Sequence, residues 1–228
     1  MSAPVFVLHG SKGGCGRSAS AVILATGLAA LGWKPLHIQV TLDGVPPVIA
    51  GAESVPFRTA WVPDEDVATY RPIMNAIVQH SDCRAIVVDM TRVPIWELVL
   101  NDPAVVIFPV RREAYEIETA LIDYRDFDRY LRSKGFAPHP WTPPDKRHRP
   151  KFLMPVSWPK NMSDDHVAAK IAQHDPEPGT PLSFLMPGIP ELPEDDLHDL
   201  INTNRFKCSQ TIRKAAVEIA QAAINSRD

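Results

Sequence analysis

The stretch Gly10-Ser11-Lys12-Gly13-Gly14-Cys15-Gly16-Arg17-Ser18 constrains this chain more than any other. It follows the apolar run Val5-Phe6-Val7-Leu8 and leads into an apolar-periodic segment, Ser18 to Leu31, so it reads as strand, glycine-rich loop and helix. Glycines let successive backbone N–H groups curl around an anion, and the helix N-terminus behind them adds a partial positive charge. Ser18, on the first helical turn, stands where such loops place a magnesium-ligating hydroxyl. The strict phosphate-loop pattern starts with Gly and ends in Gly-Lys-Ser/Thr; here Ser11 and Arg17 replace the Gly and the Lys. A ligand-less glycine turn would leave Lys12, Arg17 and Ser18 without a purpose.

From this loop onward strands and helices alternate. Gly32 caps the first helix and Leu36–Val40 is a second strand, giving a βαβ unit whose loop lies at the carboxyl end of the first strand, the edge where open α/β sheets bind ligands. Thr41 to Asp66 is rich in Pro and Gly, without periodicity. Asp64-Glu65-Asp66 reads as a helix start that Pro72 interrupts or restarts, with Ile73, Ile77 and Val78 inward as far as His80. Ala85-Ile86-Val87-Val88-Asp89 is an apolar strand ending in a carboxylate, which after such a loop suits a magnesium-holding Walker B element, the alternative being a turn-capping Asp. A helix at Ile95–Leu100, a strand at Val105–Val110 and a long helix from Glu113 to Ser133, ended by Gly135, come next. In that helix Tyr115, Ile117, Leu121, Ile122, Tyr124 and Leu131 are the apolar set, and Arg125, Asp126, Asp128, Arg129 and Arg132 read as an exposed charged face. Phe136 to Arg149 is a Pro/His/Trp/basic loop, either solvated or a DNA-phosphate contact. Lys151–Val156 reads as a strand, Ser163–Gln173 as a helix capped by Ser163 or Asp164, and Leu182–Met186 as the last strand. Helices at Glu194–Ile201 and Ser209–Ile224 close the chain, the latter with a stripe of Ile212, Ala215, Ala216, Ile219, Ala220 and Ala223.

The expected fold is α/β: a mostly parallel β-sheet flanked by helices in a three-layer sandwich, as one nucleotide-binding domain over residues 1–228. At 228 residues and 45% hydrophobic, the chain can bury a full core. A net charge of −3 excludes a global basic field, so nucleic acid would have to be met by local patches. Lys146, Arg147 and Arg149 form one such patch, and Arg205, Lys207, Arg213 and Lys214 another. Three scattered cysteines without metal-ligand spacing, and the absence of a leader or membrane-length apolar run, point to a cytoplasmic chain. The eight histidines, His9, His37 and His80 among them, are not clustered and read as packing or surface residues.

The order Lys-Gly-Gly-x-Gly-cation-Ser at residues 12–18 resembles the deviant Walker A loop of the ParA/MinD family of dimerising ATPases. The stretch Val106-Ile107-Phe108-Pro109-Val110 before a long helix, and Phe152–Val156 in the place of the family's base-proximal strand, extend that resemblance. It implies a homodimer over sandwiched ATP and Mg2+, used with a small adaptor to partition plasmid DNA or position other cargo. It also implies that Ser11, Lys12, Gly13, Gly14, Cys15, Gly16, Arg17, Ser18 and Ala19 cradle the nucleotide and that Ser18 and Asp89 hold the metal. Lys12 would reach the partner's nucleotide, and Arg17 would contact the β- and γ-phosphates. Two departures bear on catalysis. Arg17 is bulkier and planar where the family has lysine. The second strand carries Gln39 and Thr41 where the family has carboxylates, so Asp43 is the nearest acid able to position water. Nucleotide binding is therefore the stronger expectation and ATP hydrolysis the weaker. The alternatives are a non-hydrolysing P-loop scaffold or regulator of DNA-transfer or partition complexes, and a small-molecule kinase or ligase, for which no acceptor constellation is visible.

Overall fold

The computed structural model describes residues 3–41, 55–63, 71–90, 104–136, 150–177, 181–193, 200 and 208–226. The strands are β1 (Val5–Leu8), β2 (Pro35–Thr41), β3 (Arg58–Pro63), β4 (Ala85–Asp89), β5 (Ala104–Val110), β6 (Lys151–Trp158) and β7 (Ile189–Pro190). The helices are α1 (Arg17–Ala30), α2 (Arg71–Gln79), α3 (Ala114–Ser133), α4 (Asp164–Ala172) and α5 (Gln210–Asn225). All strand pairs are parallel, in a seven-stranded sheet ordered β3-β2-β4-β1-β5-β6-β7.

Parallel strands with both faces covered carry continuous apolar runs, and β1, β4 and β5 are buried at every position. The period-two alternation of side chains then sorts the core into two layers. Phe6 and Leu8 face α1 and α5, whereas Val5 and Val7 face α2, α3 and α4. Each fully buried Leu, Ile or Phe stabilises such a layer by about 1.5–3 kcal/mol relative to its exposed state. Gly32 and Gly135 terminate α1 and α3 with φ of 84° and 81°, the left-handed turn that glycine adopts without steric cost. Ser163 and Ser209 accept hydrogen bonds at the starts of α4 and α5.

Several expectations are corrected. The Pro/Gly-rich stretch after β2 contains β3, an edge strand aligned residue for residue with β2 from Leu36↔Arg58 to Thr41↔Pro63. The last strand is β7; within Leu182–Met186 only an isolated bridge, Phe184 to Leu153, is formed. Val78 points outward on α2 at 69% exposure, as do Tyr115 and Ile122 on α3. The supposed charged face of α3 is partly internal: Arg125 is fully buried and Asp123 and Asp128 nearly so. Arg125 forms a bidentate pair with Asp175, and Lys151 pairs with Asp128 beneath the Tyr124 ring. The acidic triplet at 64–66 and the helix expected at 95–100 lie outside the described residues, as does all but Leu200 of the helix expected at 194–201.

Candidate nucleotide-phosphate site

β1 is the central strand, flanked by β4 on one side and β5 on the other, so the loop leaving it sits between two strand ends. The register Leu8↔Asp89 brings the terminal carboxylate of β4 next to the start of the loop. His9 N–H donates to Ile107 O at 2.9 Å and Met90 N–H to Leu8 O at 3.1 Å, which hold the loop's entrance from both sides. Gly14 and Gly16 take φ of 81° and 87°, and Gly16 is the N-cap of α1. A Cβ at Gly16 would lie 3.0 Å from Val156 Cγ1, so glycine is needed for both conformation and space. Gly16 has no side chain to cap α1, and no acid lies in its first turn. The Cys15 thiol, a weak acceptor, meets the backbone N–H of Arg17, and no carboxylate caps the helix start, which leaves it open to an anion.

The loop's cations and one of its amides meet carboxylates of the same chain. Ser11 N–H donates to Asp123 Oδ2 at 2.8 Å, and Lys12 Nζ to Glu116 Oε1 at 2.8 Å while lying over the Tyr115 ring. Arg111 Nη1 donates to Gly14 O at 3.2 Å, and its Nε is 3.6 Å from Glu116 Oε2. Arg17 Nε donates to Asp89 Oδ1 at 2.9 Å, and its Nη1 donates to Gly10 O. Sequence reasoning missed Glu116 and Asp123. Their signal was spacing: both lie on the face of α3 that follows the strand beside β1.

Asp89 is 1% exposed. Burial pushes its carboxyl above the usual carboxylate range, opposed by the Arg17 charge and by a hydrogen bond from Ser18. Its Oδ2 has no hydrogen-bond partner of ordinary geometry. An orphaned carboxylate oxygen beside a serine hydroxyl is an oxygen-only donor pair of the kind magnesium takes, so the residues present fit that ion through Oδ2, in competition with the guanidinium that holds Oδ1. Among the described residues no group of three His, Cys, Asp or Glu side chains could hold a metal by itself. Burial, with a smaller contribution from Arg17, lowers the His9 pKa to about 3, so this neighbour of the loop is neutral at physiological pH. Cys15 is buried, with its thiol pKa raised by burial. Gly13, Ser18 and Ala19 complete the loop and the first turn of α1.

Gln39 lies in register with Asp89 and is buried, and Thr41 accepts a hydrogen bond from Trp61 Nε1. Asp43 lies outside the described residues, as do Lys146, Arg147, Arg149, Arg205 and Lys207. Arg213 and Lys214 are exposed at the start of α5. A cavity of about 210 Å³ opens beyond β6 and β7, lined by Pro155, Trp158, Met186, Ile189, Ala215 and Glu218 among others. Among the described residues no helix is long and apolar enough to cross a membrane.

No protein-family model and no curated protein sequence matches the chain. Solved structures do. The cell division protein MinD of Aquifex aeolicus is 17% identical, with a TM-score of 0.62 over 98% of each chain. A plasmid partition protein of Borrelia burgdorferi B31 bound to AMPPNP is 17% identical, with a TM-score of 0.58 over 99% of each chain. The pNOB8 ParA, bound to nonspecific DNA, is 13% identical, with a TM-score of 0.58 over 98% of each chain. The chain shares the α/β P-loop fold of these solved structures.

Proposed function

We propose that this chain is a nucleotide-binding protein of the ParA/MinD kind, acting as a nucleotide-gated dimer in DNA partition or intracellular positioning, with slow ATP hydrolysis. The observation that carries this reading is the Gly10–Ser18 loop entering the α1 N-terminus at Gly16, with no acid in its first turn and Asp89 at the end of the adjacent strand. The loop amides and Arg17 would hold the phosphates, and Ser18 and Asp89 would hold Mg2+. When bound, that ion would supply positive charge to offset the charge on the phosphates. The cavity beyond β6 suits the nucleobase end of the ligand. Lys12 would be the residue that crosses to a partner's nucleotide once it leaves Glu116. Arg213 and Lys214, with the basic residues at 146–149 and 205–207, would give salt-sensitive contact with DNA phosphates.

Sedimentation with and without ATP, and DNA retention across a salt series, test this reading. The expected result is an ATP-dependent dimer whose DNA affinity falls steeply between low and moderate salt. A chain that stays monomeric with ATP and ignores DNA at low salt refutes it.

A second reading, a non-hydrolysing scaffold or regulator, is favoured by Gln39 and Thr41. Neither carries the charge of a carboxylate, and neither readily takes a proton from attacking water. Phosphate release at background from the wild type, regained in Arg17→Lys, supports the scaffold. Turnover in the wild type that falls in Asp43→Ala supports the slow ATPase.

A further inference from the structure

Arg17 is fastened at two of its three guanidinium nitrogens. Nε bonds to Asp89 Oδ1 at 2.9 Å, and Nη1 bonds to Gly10 O. Nη2 has no hydrogen-bond partner among the described residues. A planar fork can bridge a carboxylate on one strand end and a carbonyl on the next while keeping a donor edge in reserve. A lysine ammonium, a single point charge, has no such fork. The side chain of Arg17 is 17% exposed and that of Asp89 is 2% exposed, so the pair is largely shielded from water. An ionised carboxylate buried this deeply requires an opposite charge in contact. In a phosphate-loop site of ordinary composition, a divalent ion and its ligands answer that charge. In this chain the answer is covalently attached.

We propose that Arg17 is the resident counter-cation of Asp89, and that the site consequently binds nucleoside di- or triphosphate with little dependence on divalent metal. This rests on the nucleotide reading above. The phosphates are met by the Nη2 edge of Arg17, the loop amides and the α1 N-terminus, while Asp89 keeps its guanidinium. Magnesium must either displace a shielded ion pair or bind Asp89 through Oδ2 beside a positive charge. Both routes weaken its contribution. Arg17→Lys removes the bridge, leaves Asp89 in need of a cation and makes magnesium important.

The test is titration of the full chain with a fluorescent ADP analogue in excess magnesium and in excess EDTA, for wild type and Arg17→Lys. A parallel arm uses Mn2+ as the probe and reads its EPR signal, which reports metal capture without any turnover. We expect the wild-type Kd to change by less than about threefold between the two buffers, and that of Arg17→Lys by about tenfold or more. We also expect nucleotide-dependent Mn2+ capture to be stronger in the variant. Wild-type binding that collapses in EDTA overturns this inference alone and leaves the nucleotide reading standing. Equal metal independence in both proteins overturns the assignment to Arg17. No nucleotide binding by either protein in either buffer overturns both readings. If Arg17→Lys fails to fold, the two wild-type titrations decide the matter.

Discussion

Gly27→Ala is a substitution for which two physical effects have opposite signs and the structure says which is larger. Gly27 lies inside α1, where alanine is favoured over glycine by about 1 kcal/mol through helix propensity alone. A Cβ at this position, however, would stand 1.9 Å from the carbonyl oxygen of Ala216 and 2.9 Å from the Ala220 Cβ. The first obstacle is backbone, so rotamer changes cannot relieve it. Restoring ordinary contact requires α5 to withdraw by about 1.5 Å, which loosens Ile212, Ala216, Ile219, Ala220 and Ala223 against α1 and the sheet. Overpacking of this kind costs about 1–3 kcal/mol, and a backbone obstacle belongs at the upper end. Subtracting the propensity gain leaves a net loss of about 2 kcal/mol. Urea unfolding followed by circular dichroism should show a lower midpoint at unchanged slope. Because α5 also carries Ala215 and Glu218 into the cavity beyond β6, nucleotide affinity should fall with it. A variant as stable as the wild type, or more so, would refute the close approach of α1 and α5.

Other substitutions probe the buried charges and the loop. His37 is buried, with neither ring nitrogen hydrogen-bonded, and burial lowers its pKa from 6.5 to about 4. Between those values the unfolded chain binds the proton and the folded chain does not. Stability should therefore fall as pH drops from 6.5 toward 4, by up to about 1.4 kcal/mol per unit from this residue. His37→Leu should flatten that dependence in urea midpoints taken at several pH values, and an identical slope in the variant would contradict it. Arg125→Met leaves Asp175 buried without its partner and should cost about 3–5 kcal/mol, whereas Arg125→Met with Asp175→Leu should recover more than half. Failure of the double variant to recover would mean the pair is not what the position requires. Glu116→Gln frees Lys12 from a partly buried ion pair at a stability cost of about 1 kcal/mol. It should raise the fraction of ATP-dependent dimer in sedimentation runs, and no change would argue against Lys12 as the crossing residue.

The strand-loop-helix unit from Val5 to Ala30 was legible because its information is local: an apolar run, glycines where φ must be positive, and dense apolar periodicity behind them. The two-layer sorting of β1 follows from side-chain alternation in the same way. β3 was not legible. Arg58-Thr59-Ala60-Trp61-Val62-Pro63 is an edge strand with only Val62 buried, so no apolar pattern marks it; pairing with β2 makes it a strand. The inward side of α3 was misread for a related reason. Arg125 and Asp128 look like solvent residues until Asp175 and Lys151 arrive from distant parts of the chain to satisfy them.

The same division runs through the site. Sequence alone established that a glycine-rich loop follows the first strand, that a carboxylate ends a later strand, and that strands and helices alternate along the chain. These are properties of consecutive residues, and backbone geometry acts on consecutive residues. Only the tertiary structure decided which carboxylate each cation meets: Lys12 with Glu116, Arg17 with Asp89, and the Ser11 amide with Asp123. Coulomb and hydrogen-bond partners are set by distance in space, and the strand register and helix placement that set those distances are long-range results of packing. A basic loop residue can be read from sequence as a group seeking an anion, but whether that anion comes from a ligand or from the chain's own α3 and β4 depends on the fold.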